Sequence, residues 1–202
     1  MDGLSRTVVW DVDDVLNDLM RGWLDNVWTP THPAQVVPYE DLSENPPHAL
    51  LGIASGEYLS SLDEFRLSAG YAQQVPNPDI LAWLHEYGGR CRHIALTATA
   101  LRTAPTTAEW VLRHFGRWIR EFAFIPALRP AEVLPTYDTD KGAWLARLGA
   151  SAVLIDDSPQ NVAAATAAGA VALCWPRPWN SCRASVEETL QALTQFIDVR
   201  EA

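Results

Sequence analysis

The sequence predicts a doubly wound, Rossmann-like α/β fold: a parallel five-stranded sheet with a small helical cap inserted after strand 1. Three observations predict it. Five short apolar runs, Thr7–Trp10, His93–Leu96, Glu121–Ile125, Ala152–Ile155 and Ala170–Cys174, are uninterrupted and together rich in Val and Ile, as strands buried on both faces of a parallel sheet are. Amphipathic segments closed by glycine alternate with them along most of the chain. A length of 202 residues suits one well-filled domain, or one domain with a small insert.

The helices have readable ends. Asn77-Pro78 opens one with Pro at the first helical position; Ile80, Leu81, Trp83, Leu84 and Tyr87 form its apolar face and Gly88-Gly89 stop it. Thr103-Ala104-Pro105 opens the next, with Ala108, Val111, Leu112 and Phe115 turned inward and Gly116 as the stop. A third runs from Asp140 through Trp144, Leu145 and Leu148 to Gly149, and a fourth from Pro159 to Ala168. Val186, Leu190, Leu193 and Ile197 give a last helix.

Between Asn17 and Asn77 the alternation breaks. Leu16, Leu19, Met20, Trp23, Leu24, Val27 and Trp28 fall at helical spacing, prolines 30, 33, 38, 46 and 47 make a connector, and a second helical region lies near Glu57–Leu67. The expected division is a core of residues 1–17 and 78–202 and a helical cap of residues 18–77. An irregular flank of the same domain fits the pattern nearly as well.

Composition bounds the partners. Fifteen basic against 25 acidic residues give a net charge of -10, which repels a phosphate backbone and an anionic membrane surface, so neither a nucleic acid polymer nor a membrane is expected as partner. An anionic substrate then has to be drawn in locally, by a metal ion or a few placed cations. Cys91, Cys174 and Cys182 are odd in number and lack CxxC spacing, the usage of free thiols in a reducing compartment. With an N-terminus that turns acidic early, a cytoplasmic location is expected.

In open α/β sheets ligands gather at the carboxyl ends of the strands. Asp11, Asp13 and Asp14 follow the first run, Thr97 and Thr99 the second, and Asp156 and Asp157 the fourth. Carboxylates brought close repel one another unless a cation sits among them, and oxygen donors without His or Cys favour Mg²⁺ over Zn²⁺. Taken singly, Asp-Val-Asp-Asp and Asp156-Asp157-Ser158-Pro159 are each more commonly helix caps, Thr97 a backbone-bonded hydroxyl and Lys141 a solvated lysine. Their common placement at strand ends and helix starts favours a shared site.

Val8-Val9-Trp10-Asp11-Val12-Asp13-Asp14-Val15-Leu16 resembles the first motif of the haloacid dehalogenase (HAD) superfamily, an apolar strand running into Asp-x-Asp. Ile94-Ala95-Leu96-Thr97-Ala98 resembles its second motif, Lys141 its third, and Val153-Leu154-Ile155-Asp156-Asp157 its fourth. The resemblance implies a HAD-like core and a phosphatase hydrolysing a small phosphorylated metabolite. Asp11 would be the nucleophile that becomes an aspartyl-phosphate, and Asp13 the acid and then the base. Mg²⁺ would be held by Asp11, the Asp13 carbonyl, Asp157 and, directly or through water, Asp156. Thr97, the Ala98 N–H and Lys141 would bind the phosphoryl group. Asp13 further implies an oxygen leaving group, since halide departs without a proton.

Within the family, Asp-Asp-Ser-Pro-Gln-Asn and Arg177-Pro178-Trp179-Asn180 are similar to the 5'(3')-deoxyribonucleotidase branch, which makes a nucleoside monophosphate one candidate substrate. Trp175 and Trp179 are candidates to stack on a base; Trp23 and Trp28, on one amphipathic face, are expected to be buried instead. Two other readings are a mutase passing its phosphoryl group to a sugar, and a binding module that keeps the fold without turnover. A dinucleotide-binding oxidoreductase is disfavoured further, because carboxylates that would repel a pyrophosphate stand where Gly-x-Gly-x-x-Gly would be needed.

Overall fold

The computed structural model describes residues 6–130 and 132–198. Its sheet has the order β3-β2-β1-β4-β5, with β1 at Thr7–Trp10, β2 at Arg92–Thr99, β3 at Ile119–Pro126, β4 at Ala152–Asp156 and β5 at Val171–Cys174. Every pairing is parallel. The chain builds β1, β2 and β3 outward on one side, then crosses to add β4 and β5 on the other, so the topological switch lies at β1.

Alternation along the strands separates two apolar layers. Val8, Trp10, Ala95, Val153 and Ile155 face one side, where helices α5 (Pro78–Tyr87), α6 (Ala104–Phe115) and α9 (Val186–Asp198) supply Ile80, Trp83, Leu84, Trp110, Val111, Phe115 and Leu193. Val9, Ile94, Leu96 and Leu154 face the other, covered by Leu145 of α7 (Lys141–Leu145) and Ala165 of α8 (Pro159–Ala167). Helices on both faces make the sheet doubly wound, as its apolar runs predict.

Several expectations shift in detail. β1 and β4 are buried throughout, but the edge strands β3 and β5 are partly exposed, because each has a neighbour on one side only. β2 does not stop at Leu96: pairing with β3 carries it to Thr99, past the end of β1. On α6, Leu112 faces solvent and Trp110 takes the inward place. α7 ends at Leu145, short of Gly149.

Between β1 and β2 the elements are helical: α1 (Leu19–Trp23), a π-type turn (Leu24–Trp28) and α2 (Thr29–Thr31) run on from one another, followed by α3 (Ser55–Arg66) and α4 (Ala69–Ala72). Trp23, Trp28, Tyr58, Phe65 and Tyr71 of this stretch bury themselves in an apolar cluster continuous with the β1 face of the sheet. Among the described residues no helix is long and apolar enough to cross a membrane.

Candidate active site

The carboxyl ends of the three central strands, β2, β1 and β4, deliver the site. Asp11 leaves β1 with its backbone N–H still held by Ile155 O at 2.9 Å, so its position is an extension of the sheet. Asp156 ends β4 and Asp157 follows it. Oxygens of Asp11, Asp156 and Asp157 lie within 4.8 Å of one another, all three residues being buried. Thr97 belongs to the part of β2 that overhangs β1.

Lys141 enters from the opposite helical layer. Its Nζ lies 2.7 Å from Asp11 Oδ1 and 2.6 Å from Asp156 Oδ2, and the side chain is 2 % exposed. Asp140 caps α7 by accepting from Ala143 N–H at 2.8 Å. The helix can come this close because residue 142 is glycine: a Cβ there would stand 2.7 Å from Ala164 O of α8. Burial disfavours the Lys141 ammonium, yet Asp11 and Asp156 hold its pKa above the ordinary value, so it remains a cation.

The carboxylates are under opposite pressure. Burial pushes the Asp11 carboxyl well above the usual range; Lys141 pulls it back, and Asp156 and Asp157 push it further up. Asp157 is raised to about 7 by burial and then by Asp156, despite accepting a hydrogen bond from Trp179 Nε1–H at 2.8 Å. Asp156 serves as the organiser. Its Oδ2 takes Lys141, while its Oδ1 accepts from Ser158 N–H at 2.9 Å and from Asn161 Nδ2 at 3.1 Å.

These groups share a cavity of about 170 Å³, lined among others by Asp11, Asp13, Thr97, Ala98, Lys141 and Asp157. Thr97 Oγ1 is buried there with no hydrogen-bond partner among the described residues. A buried hydroxyl left unpaired costs about 1–3 kcal/mol, so it is poised for a ligand oxygen. Clustered carboxylates, with Asp11 and Asp157 raised, and an all-oxygen donor set fit a hard divalent cation.

Asp11, Thr97, Ala98, Lys141 and Asp157 thus meet in the cavity, and Asp156 joins them through Lys141, whereas Thr99 pairs with the Thr103 hydroxyl at 2.8 Å instead. Asp13 lines the cavity, but its carboxylate turns to the insert, where Arg66 Nη2 donates to its Oδ2 at 2.8 Å. Asp14 turns away. It adopts a left-handed backbone (φ 61°), accepts from Met20 N–H at 2.9 Å and so starts α1. Arg177 donates to the Asp14 carbonyl and pairs with Asp18 at 2.8 Å, tying the loop after β5 to the entrance of the insert.

Of the candidate base-stacking rings, Trp175 is 1 % exposed and buried in the core, which corrects that expectation; Trp23 and Trp28 are buried as expected. Trp179 is spent on Asp157 and packs edge-on against Tyr39. Arg66, Asn45 and Tyr58, which no motif marks, also line the cavity, as does Asn161, which ends the Asp-Asp-Ser-Pro-Gln-Asn run. Asn161 carried a signal, lying on the first turn after Asp156-Asp157-Ser158-Pro159, whereas the other three reach the cavity only through long-range folding.

No protein-family model and no curated protein matches the sequence. Solved structures do match the fold. The chain is similar to protein tyrosine kinase A of Mycobacterium tuberculosis at 19% identity and a TM-score of 0.64, with 98% of this chain and 100% of that one covered. It is similar to a hydrolase of Streptococcus pneumoniae TIGR4 at 14% identity and a TM-score of 0.61, covering 95% and 100%. A HAD-superfamily hydrolase of subfamily IA from Geobacter sulfurreducens aligns at 13% identity and a TM-score of 0.58, covering 95% and 96%. The chain therefore shares its fold with these structures, one of which is named a HAD-superfamily hydrolase, the fold that the four motifs imply.

Proposed function

We propose that this chain is a Mg²⁺-dependent phosphatase that hydrolyses a small phosphomonoester through an aspartyl-phosphate on Asp11. One observation carries the reading. Asp11 is held at a central strand end between Lys141 and a carboxylate pair, and the unpartnered Thr97 hydroxyl lines the same cavity. Bound Mg²⁺, held by Asp11, Asp157 and the Asp13 carbonyl with Asp156 behind them, would supply charge neutralisation between the carboxylates and the phosphoryl oxygens.

The chain's own groups do the rest. An Asp11 carboxylate oxygen attacks phosphorus in line with the ester oxygen; the P–O ester bond breaks and Asp13 donates the proton that the leaving alcohol takes up. Asp13, now a carboxylate, accepts a proton from the water that attacks the phosphorus of the acyl phosphate, returning Asp11 as carboxylate and releasing inorganic phosphate. Thr97 Oγ1–H and the Ala98 N–H would donate to phosphoryl oxygens, and Lys141 would offset charge on nucleophile and phosphoryl group together. The insert, seated over the cavity through Tyr58, Leu62 and Arg66, serves in this reading as a cap that keeps bulk water out.

A cavity of about 170 Å³ matches a compact phosphomonoester better than a nucleotide, since sites for larger ligands run to about 300–1,000 Å³. A second reading is phosphoryl transfer to an acceptor other than water, favoured by the fold's similarity to a protein named as a tyrosine kinase. Phosphate release from a generic aryl phosphate, with Mg²⁺ and with EDTA, tests the first reading in wild type and Asp11→Asn. Release that EDTA and the substitution both abolish supports it; equal release in both proteins removes Asp11 from the reaction.

A further inference from the structure

Among the described residues two side-chain cations line the cavity, and they are not equivalent. Lys141 is committed to Asp11 and Asp156. Arg66, at the end of α3, is 5 % exposed and uses one arm on Asp13, Nη2 to Oδ2 at 2.8 Å. Its other arm reaches Asp63 Oδ1 at 3.4 Å, a long contact to a carboxylate that Arg129 already grips with two hydrogen bonds of 2.8 and 2.7 Å. Arg66 Nε is buried with no hydrogen-bond partner among the described residues. A guanidinium offers five donors in a fixed fork, and leaving them undersaturated away from water is costly. The charge itself is secure, since Asp13 raises the Arg66 pKa against the opposing effect of burial.

The position of Arg66 says what it would hold. In the phosphatase reading Asp13 protonates the leaving oxygen and so faces the alcohol portion of the substrate, and Arg66 is bonded to Asp13 in the same cavity. An anion on Arg66 is therefore carried by the alcohol portion of the substrate, past the ester oxygen. Leu19, Met20 and Leu62 line the same cavity and leave apolar wall for a short carbon skeleton between the two anionic ends.

We propose that the substrate is a small phosphomonoester bearing a second anionic group, a carboxylate or a further phosphate, that Arg66 binds by exchanging it for Asp13. The proposal rests on the phosphatase reading and names its substrate class. Arg66 would thus report to the catalytic strand ends that the right molecule has entered.

The experiment compares kcat/KM for three probes in the Mg²⁺-loaded protein: phosphoglycolate, propane-1,3-diol bisphosphate and the neutral-tailed n-propyl phosphate. Wild type is expected to favour a doubly anionic probe by about tenfold or more, the worth of one hydrogen bond to a charged group. Arg66→Gln is expected to bring that ratio to within about threefold of one, and Arg66→Lys to keep part of it. The two anionic arms tell carboxylate from phosphate. Thermal unfolding of each variant separates recognition from loss of fold, and a ratio is insensitive to a smaller folded fraction. A wild-type ratio near one, or a preference that survives in Arg66→Gln, overturns the proposal and leaves the phosphatase reading standing. Absence of phosphate release from every probe overturns both.

Discussion

Lys141 Nζ stands 2.7 Å from Asp11 Oδ1, an ion pair sealed at 2 % and 9 % side-chain exposure between the first strand end and a helix from the far half of the chain. Breaking a buried pair leaves an uncompensated charge. Lys141→Met is expected to cost about 3–5 kcal/mol at neutral pH in urea titrations. Added Mg²⁺ should recover part of that loss, because a cation again sits between Asp11 and Asp156. A variant as stable as wild type without metal would remove Lys141 from the electrostatics of the site.

Asp157 gives the pH dependence of the metal-free protein. Its folded pKa of about 7 lies above the ordinary value of 3.8, so the folded state binds a proton more tightly than the unfolded one. Its contribution to stability is complete below the unfolded value and is lost as pH rises through about 7. Asp157→Asn, which still accepts from Trp179, should flatten that decline and raise metal-free stability at pH 8 by about 1–3 kcal/mol. The same variant should lose most of the Tm increase that Mg²⁺ gives wild type.

Trp179 acts on the site through Asp157. Its indole N–H fixes one carboxylate oxygen at 2.8 Å, and Asn180 Nδ2 donates to the Asp157 carbonyl at 2.8 Å. Trp179→Phe keeps the ring packed on Tyr39 and removes the hydrogen bond. Mg²⁺ affinity, read by calorimetry, should fall by about 10- to 100-fold, the usual loss when a group that orients a metal ligand is removed. An unchanged affinity would leave Trp179 as packing only.

His93 makes a second pH signature, opposite in sign and far from the carboxylates. Its Nδ1 accepts from Trp10 Nε1–H at 3.1 Å and its Nε2 donates to Gly88 O at 2.9 Å, an arrangement that requires the neutral ring. Burial lowers its pKa, while the Gly88 contact opposes this. The unfolded chain therefore binds the extra proton first, and stability should fall as pH drops below about 6.5. His93→Gln should show a shallower slope between about pH 7 and pH 5.

The core was legible because its signals are local. Apolar runs mark β1 and β4, Asn77-Pro78 and Asp140 mark helix starts, and a carboxylate that ends a strand stays with that strand. What stayed hidden depends on neighbours distant in sequence. The extension of β2 to Thr99 needs β3 beside it, and the exposure of Leu112 depends on which way α6 rolls over the sheet. Arg66 had no motif at all; it reaches Asp13 across 53 residues because α3 folds back over the first loop. Nothing local marks Gly142 either, yet Ala164 O lies where its Cβ would go.

The strand order has a consequence for synthesis. β1 leaves the ribosome first, yet one of its two neighbours is β4, and the Asp11 N–H finds its acceptor on Ile155. A nascent chain that has not yet reached residue 155 carries a bare strand edge in the middle of its future sheet, an open template for pairing with another chain. Truncations ending before β4 should accordingly be aggregation-prone as well as inactive, with the N-terminal half waiting on the C-terminal half to be finished.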